Sequence, residues 1–321
     1  MAVRGNFTET PIIIGGYSAS RINCEPAARW KWVDHFTTTA KSLGMVTMLW
    51  DNGLDNFDRY AREWRDPTTI NIIQNSLALI PNSLPDSTTD PEATSQWTSA
   101  YIFHKVGDPV TSQTLPILFN YNTLVSIMNS DGKMLAEGTD YTLTESDVTV
   151  TADFLSRFLS ADAEPGFKSM LTLAFSGGTP FEVEIIQWDT PTLDTNSSTV
   201  DPGFELQIPV TYKGLNKVAA VKIVEDDGVY FVDDWTEYLG PLQQGRGVRQ
   251  TSLSGTNPTR RTAGTDNATQ TYRSQWDFDG GNLFISAASV QAVANSGRPT
   301  TFTFEFYPRV PGNSVDYTLM P

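Results

Sequence analysis

The chain has 321 residues, of which 39% are hydrophobic and 18% charged, so it is long enough for two or three domains and too apolar to be disordered. Its formal net charge of -15 argues against nucleic acid as a partner, because an acidic chain repels a phosphate backbone. It has neither a basic amphipathic stretch nor an apolar run long enough to span a bilayer, so we also expect no membrane partner.

The first region, residues 1–80, predicts a β-α-β-α order. The apolar run Ile12-Ile-Ile14 is short enough for a buried parallel strand. Residues 25–43 predict a helix, because large apolar side chains recur there at spacings of three and four. Residues 45–50 predict a second strand, and Asp66-Pro67-Thr68 predicts the start of a second helix.

The rest of the chain predicts β-structure. Residues 81–96 are rich in Pro, Ser, Thr and Asp and predict a linker, and a second linker is expected at about 191–204. Short strands separated by turn residues fill 97–190 and 205–321, with a long polar loop over 240–270. We therefore predict a mainly β protein with two β-sandwich domains preceded by the β-α-β-α region.

Three segments of the first region have a specific order and spacing: Pro11-Ile-Ile-Ile-Gly-Gly16-Tyr-Ser-Ala19, then Trp30 to Gly44, then Thr47-Met-Leu-Trp50-Asp51-Asn52-Gly53. They resemble strand seven, a helix and strand eight of the (β/α)₈ barrel of a fungal-type glycoside hydrolase family 5 cellulase, an endo-β-1,4-glucanase. The resemblance implies that residues 1–80 are a remnant of that barrel. It also implies a parent enzyme that retains anomeric configuration with two glutamates.

The resemblance fails at the residue that matters most for catalysis. In the family a nucleophilic Glu follows the Gly of strand seven, and here that position is Gly16, which carries no carboxylate. The acid/base residue of the family lies on strand four, and strands one to six have no counterpart in this chain. We therefore expect no intact catalytic residue and no hydrolysis by the chain alone.

Two further resemblances cover the β-regions. The first rests on four segments: Asn120-Tyr-Asn122-Thr-Leu, Leu135-Ala-Glu-Gly138-Thr-Asp-Tyr141-Thr-Leu, Leu171-Thr-Leu-Ala-Phe-Ser-Gly177-Gly178 and Glu184-Ile-Ile-Gln-Trp188. With these segments, residues 97–190 resemble the immunoglobulin-like domain that often follows such barrels. The second rests on Trp276-Asp-Phe-Asp-Gly280-Gly281-Asn282-Leu, and residues 205–321 resemble a family 46 carbohydrate-binding module. Together they imply the C-terminal part of a cellulase.

Three residues of the first region are candidates for sugar contact. In the family a Trp at the position of Trp50 stacks under the sugar next to the cleaved bond, because an aromatic face suits the apolar face of a pyranose. Packing in a core is its alternative. Asn52 could bond sugar hydroxyls or cap a turn. Tyr17 could line the cleft or be merely exposed.

In the last region Trp276 is the first candidate for carbohydrate contact and Trp235 the second, since each stands beside acidic residues that accept hydrogen bonds from hydroxyls. Ordinary core burial is the alternative for both. No cluster has metal-ligand spacing and Gly15-Gly16 is not a phosphate loop, so we expect neither a metal nor a cofactor.

The composition, low in Lys and Arg and rich in Thr, Ser, Asn and Gly, suits an extracellular parent, and the single Cys24 forms no internal disulfide. Residues 1–10 lack the apolar core of a signal peptide, so we expect a missing N-terminus.

The leading function is non-catalytic binding of plant-cell-wall β-glucans such as cellulose or xyloglucan. One alternative is an active endo-β-1,4-glucanase or xyloglucanase when a partner supplies the missing part of the barrel. The other is a structural spacer without sugar binding.

Overall fold

Local signals define the two helices of the first region. Helix α1 (Pro26–Ser42) begins with Pro at its first position, and the carboxylate of Glu25 accepts hydrogen bonds from two free backbone amides. It ends before Gly44, whose φ of 65° is the left-handed conformation that glycine adopts without strain. Helix α2 (Pro67–Leu77) repeats the pattern, with Asp66 as its N-cap.

The computed structural model describes residues 10–19, 24–51, 56–91, 94–231 and 275–321. Strands β1 (Ile13–Tyr17) and β2 (Val46–Leu49) form a parallel two-stranded sheet in which Ile13 lies opposite Val46. With α1 and α2 they complete the predicted β-α-β-α order. Within the described residues β1 and β2 pair only with each other, so no closed barrel forms there.

Two short two-stranded sheets lie within and after the first region. Their strands are β3 (Phe57–Asp58) with β4 (Glu63–Trp64), and β6 (Ser87–Thr89) with β7 (Gln96–Thr98).

Two four-stranded sheets form the first β-sandwich, because each turns an apolar face to the same core. One sheet has the order β10-β13-β14-β8: β10 (Leu124–Asn129), β13 (Gly166–Phe175), β14 (Phe181–Trp188) and β8 (Tyr101–Lys105). The other has the order β11-β12-β9-β5: β11 (Tyr141–Leu143), β12 (Asp147–Val150), β9 (Gln113–Leu118) and β5 (Leu84–Pro85). A short helix, α3 (Ala152–Leu155), follows β12.

The helices of the first region share the core of this sandwich. Trp30 and Val33 of α1 and Ile72 of α2 belong to the same buried cluster as the inward-facing residues of both sheets. The ring centroid of Trp30 lies 6.4 Å from that of Phe181 on β14. A helix packed in this way gains its stability from the sheet that it covers. The described residues up to Thr88, with 98–163 and 167–187, accordingly form one compact unit, called here the first unit.

Four-stranded sheets also build a second sandwich. The first sheet has the order β15-β17-β20-β19: β15 (Thr192–Leu193), β17 (Leu206–Thr211), β20 (Asn282–Ile285) and β19 (Trp276–Phe278). The other has the order β16-β22-β21-β18: β16 (Ser197–Thr199), β22 (Ser314–Met320), β21 (Thr300–Phe306) and β18 (Val218–Glu225). Helix α4 (Ala287–Ser296) joins β20 to β21. This sandwich lies in the second unit, which comprises residues 89–97, 164–166 and the described part of 188–321.

The mainly β fold class with two sandwiches is confirmed. Both segments predicted as linkers contain strands: β5 and β6 lie within 81–96, and β15 and β16 within 191–204. In the first of them Leu84 pairs with Leu118 of β9, and the hydroxyl of Ser83 donates to the carbonyl of Phe119 at 2.9 Å. The polar side chain of Ser83 is therefore hydrogen-bonded at the end of the β5–β9 pair. The loop predicted at 240–270 lies outside the described residues.

A buried polar cluster ties the start of α1 to the start of α2. The guanidinium of Arg29 contacts the Asp66 carboxylate at 2.6 Å, and the indole Nε1 of Trp30 donates to it at 3.0 Å. The backbone N–H of Thr69 donates to the same carboxylate at 3.0 Å, which is the N-cap bond of α2. Burial by itself would raise the pKa of Asp66, but the charge of Arg29 and the bonds from Thr69 and Trp30 together lower this pKa below its usual value of 3.8.

We expect Asp66→Asn to reduce the acid sensitivity of the first unit. A carboxylate with a depressed pKa in the folded state stabilises the fold above its unfolded-state pKa, and this contribution is lost as the pH falls through the folded-state value. The wild-type protein should therefore be more stable than Asp66→Asn at about pH 7, and the difference should shrink from about pH 4 downward. Urea denaturation of both proteins across this range measures the difference. A difference that does not change with pH would contradict the role assigned to Asp66.

Candidate functional site

Four residues meet where β1 and β2 end, and we call them the strand-end patch: Gly16, Trp50, Asp51 and Asn56. The backbone N–H of Trp50 donates to the carbonyl of Tyr17 at 2.7 Å, which joins the ends of the two strands. The side-chain amide of Asn56 donates to the carbonyl of Trp50 at 2.7 Å, and the backbone N–H of Asn56 donates to Asp51 Oδ1 at 3.1 Å. These bonds fix the backbone beneath the indole of Trp50, which is 60% exposed.

Gly16 lies beside this indole. A Cβ at position 16 would be 3.6 Å from Trp50 Cε3, an ordinary van der Waals contact. The position can therefore accept a Cβ without a clash. In this chain it contributes no carboxylate to the patch.

Three carboxylates that follow β2 have structural partners. Asp51 caps the N–H of Asn56. Asp58 accepts hydrogen bonds from the backbone of Tyr60 and Ala61 and pairs with Arg65 at 2.6 Å. Asp66 is buried at the start of α2, as described above. Each of these three carboxylates therefore holds the local backbone or a neighbouring cation, which is not the environment of a group free to transfer a proton.

Tyr17 is not part of an open cleft. Its side chain is buried, and its ring centroid lies 4.6 Å from that of Phe36 on α1. The ring of Phe36 in turn stacks on Trp32 at 5.2 Å. Tyr17 thus fills the space between β1 and α1, a role that differs from both the cleft wall and the simple exposure considered from sequence.

Trp276 is in the core of the second unit. It is only 5% exposed, and its ring stacks on Phe278 with centroids 6.4 Å apart. The neighbouring Asp279 accepts hydrogen bonds from the backbone of Gly281 and Asn282, so it shapes a turn. This arrangement matches the core packing that was the alternative for Trp276.

The other predicted residues, Asn52 and Trp235, lie outside the described residues. The strand-end patch brings Trp50 close to Gly16, and Trp276 lies in the other unit. Sugar contacts at Trp50, Asn52, Tyr17, Trp276 and Trp235 stay predictions.

The exposed aromatic side chain of Tyr121, in the first sandwich, was not among the candidates predicted from sequence. Tyr121 lies in the turn between β9 and β10 and is fully exposed. The signal available in the sequence was an aromatic residue between two asparagines, Asn120 and Asn122, directly after a predicted strand. Asparagine favours turns, so an aromatic residue between two of them is placed at the surface.

In the described parts of the chain, no group of three or more His, Cys, Asp or Glu side chains could hold a metal ion. None of the helices described there is long and apolar enough to cross a membrane.

Residues 96–185 match the family described as Carbohydrate binding domain X2. The chain is also 25% identical over 234 residues to Endoglucanase B of Paenibacillus lautus, which covers 71% of this chain and 38% of that protein. This relative and the X2 match support the prediction of a relationship to cellulases.

Solved structures extend the similarity to 99% of the chain. A tri-modular endo-β-1,4-glucanase of glycoside hydrolase family 5, subfamily 4, from Bacillus licheniformis superposes with a TM-score of 0.76 at 27% identity, and 54% of that chain is covered. Endo-β-1,4-glucanase B of Bacillus halodurans superposes with a TM-score of 0.72 at 20% identity over 51% of its length and so supports the fold alone.

The chain spans about half the length of these solved relatives and 38% of the curated one. The fungal type and the family 46 module inferred from sequence stay predictions, and the named relatives are from Paenibacillus and Bacillus. The comparisons support that this chain resembles the C-terminal part of a modular cellulase and that residues 96–185 are similar to the X2 family of carbohydrate-binding domains.

Proposed function

We propose that this chain is the carbohydrate-binding, non-catalytic portion of a cellulase that degrades plant-cell-wall β-glucans in the extracellular space. The observation that carries the proposal is the match of residues 96–185 to Carbohydrate binding domain X2. The likeness of almost the whole chain to an endo-β-1,4-glucanase supports β-1,4-linked glucans as ligands. Cellulose and xyloglucan are the polysaccharides of that class that we propose.

Retention on polysaccharides tests this proposal. The purified chain is mixed with insoluble cellulose, and its migration is measured in native gels that contain xyloglucan or hydroxyethylcellulose. We expect retention on at least one β-glucan and none on starch, an α-glucan that serves as the matched control. The absence of retention on every β-glucan would reject binding and favour the structural spacer.

The lack of catalysis is proposed from two features of the strand-end patch. Retaining hydrolysis needs two carboxyl groups roughly 5 Å apart, one on each side of the bond that is cleaved. Gly16 has no carboxylate, and Asp51 of the patch holds a backbone amide. Asp58 and Asp66, later in the chain, each hold an arginine. From these described residues we expect neither a nucleophile nor a proton donor at the patch.

We expect neither the wild-type chain nor Gly16→Glu to release reducing sugar from carboxymethylcellulose or xyloglucan. A Cβ at position 16 makes only an ordinary van der Waals contact with Trp50, so we expect the variant to fold with an unchanged melting temperature. Its inactivity would then reflect the missing second carboxyl group and not misfolding. Turnover by the wild-type chain above a boiled sample would refute the non-catalytic proposal. Turnover by Gly16→Glu alone would reveal a carboxylate able to serve as acid/base.

One observation favours the alternative that further barrel strands assemble on this chain. Ile13, Val46 and Met48 are exposed on the small parallel sheet, next to Trp50. Parallel sheets are normally covered on both faces, so this apolar face is suited to packing against additional strands. The partner in this alternative is the part of the barrel that carries strands one to six.

Complementation tests this alternative. Wild-type and Gly16→Glu chains are mixed with a polypeptide that carries strands one to six of the Bacillus licheniformis endoglucanase. Assembly of a working site predicts turnover with Gly16→Glu and none with the wild-type chain, because only the variant supplies a nucleophile. If neither mixture is active and no complex forms, the alternative is rejected.

A further inference from the structure

The turn between β9 and β10 has an unusual backbone. Asn120 and Tyr121 are both left-handed, with φ values of 49° and 70°. Asparagine tolerates this conformation, but a bulky side chain such as tyrosine is strained in it. The fully exposed ring of Tyr121 buries no surface that would offset the strain. The fold therefore gains nothing from tyrosine at this position, where glycine would fit without cost.

Side-chain hydrogen bonds hold the turn in place on both sides of Tyr121. The amide of Asn120 donates to the carbonyl of Asn82 at 2.7 Å, and the amide of Asn122 donates to the carbonyl of Pro81 at 3.0 Å. The backbone N–H of Asn122 also donates to the carbonyl of Phe119 at 3.0 Å. The anchoring residue Asn82 is itself buried. The exposed ring thus projects from a pre-organised support, which reduces the ordering cost of binding.

The surroundings of this support combine apolar surface with amides. Leu79 and Ile80 are exposed and directly precede the anchoring segment Pro81–Asn82. Gly177 accommodates the amide oxygen of Asn122, because a Cβ on Gly177 would lie only 2.7 Å from that oxygen. An aromatic ring with nearby aliphatic and amide groups suits a sugar, whose pyranose has an apolar face and a rim of hydroxyls.

We propose that Tyr121 is the stacking platform of a β-glucan-binding site in the X2 domain, where its ring packs on the apolar face of one glucose unit. The inference rests on the proposed function and locates its binding site. A single exposed ring on a rigid turn is too small for a stable protein interface but matches the size of one sugar unit. The strain at Tyr121 is then retained for binding, as at other functional positions with unfavourable backbone angles.

Tyr121→Gly tests the proposal, because stability and binding are expected to respond in opposite ways. Glycine adopts a φ of 70° freely, so the melting temperature of the variant should be equal to or higher than that of the wild type. Its affinity for soluble xyloglucan or hydroxyethylcellulose should fall roughly tenfold or more, equivalent to about 1.4 kcal/mol. Tyr121→Trp should keep the affinity, since it restores an aromatic face. Affinity electrophoresis and thermal unfolding give the two readouts.

Phe167→Ala is the matched control, since Phe167 is another exposed aromatic residue of the same sandwich. This variant should bind as the wild type does. If the wild type binds and Tyr121→Gly binds equally well, the site lies elsewhere while the proposed function stands. If Tyr121→Gly loses both affinity and thermal stability, the ring has a structural role and the proposal is rejected. If the wild type binds no β-glucan, the proposed function fails and the site with it.

Discussion

Trp30→Ala should destabilise the first sandwich although Trp30 lies in a helix outside both of its sheets. The side chain is 6% exposed, belongs to the core shared by α1 and the sheets, and donates a hydrogen bond to Asp66. Removal of a buried Trp typically costs about 3–5 kcal/mol, through lost burial and the cavity left behind. We expect a decrease of this size in the free energy of unfolding, measured by urea denaturation.

Hydrogen exchange locates the effect. If α1 and the sandwich unfold together, the amides of Val183 and Ile185 on β14 should exchange faster in Trp30→Ala. The control is Trp32→Ala, since Trp32 is on the same helix, 43% exposed, and contacts Phe36 and Tyr17. That substitution should cost about 1 kcal/mol, because it removes an exposed stacking contact. Unchanged exchange in β14 of Trp30→Ala would show that the helices fold independently of the sheets.

Arg29→Met should be the second strongly destabilising change. The side chains of Arg29 and Asp66 are 7% and 13% exposed, so removal of the guanidinium leaves a largely buried carboxylate without its cation. Breaking a buried pair from one side costs about 3–5 kcal/mol. The double variant Arg29→Met/Asp66→Asn should be more stable than Arg29→Met, because the neutral amide removes the unpaired charge and can still cap α2.

Lys31→Met provides the comparison, because Lys31 on the same helix forms a more exposed ion pair. Lys31 contacts Asp86 at 2.6 Å, and their side chains are 39% and 27% exposed. Water screens such a pair, so the loss should be at most about 1 kcal/mol. Urea denaturation of the wild type, Arg29→Met, Arg29→Met/Asp66→Asn and Lys31→Met measures the free energy of unfolding of each protein. Equal losses for Arg29→Met and Lys31→Met would mean that burial of the Arg29–Asp66 pair has no energetic consequence.

Much of the secondary structure is readable from local sequence. The helix expected at 25–43 is observed at Pro26–Ser42, because its Pro at the first position and the Gly after its end act over a few residues. The strand at 181–188 follows from alternation: Val183 and Ile185 are buried, while Glu182 is exposed and Glu184 only partly buried. The helix Ala287–Ser296 escaped prediction, although Ser286 caps it and Gly297 ends it in the left-handed conformation. Its short length makes its apolar periodicity hard to separate from that of a strand.

The candidate site was less predictable, because exposure depends on residues distant in sequence. Trp50, Trp276 and Tyr121 are all aromatic residues beside polar neighbours, yet only Trp276 is buried. The ring of Trp276 belongs to the hydrophobic core of the second unit. Strand β19 is held at that core by its pairing with β20, in which Trp276 lies opposite Ile285. Tyr121 is exposed because its turn is held from outside by Pro81 and Asn82, which precede it by about forty residues.

The sequence by itself determined that position 16 has no carboxylate, because a carboxylate is a property of one side chain and Gly16 has none. It also determined the β-α-β-α order of the first region, since caps, turn residues and periodicity act locally. Only the tertiary structure decided that α1 and α2 complete the core of a sandwich and which aromatic rings face water. Burial is set by the surfaces that meet when distant segments pack, and no local pattern specifies which surfaces those are.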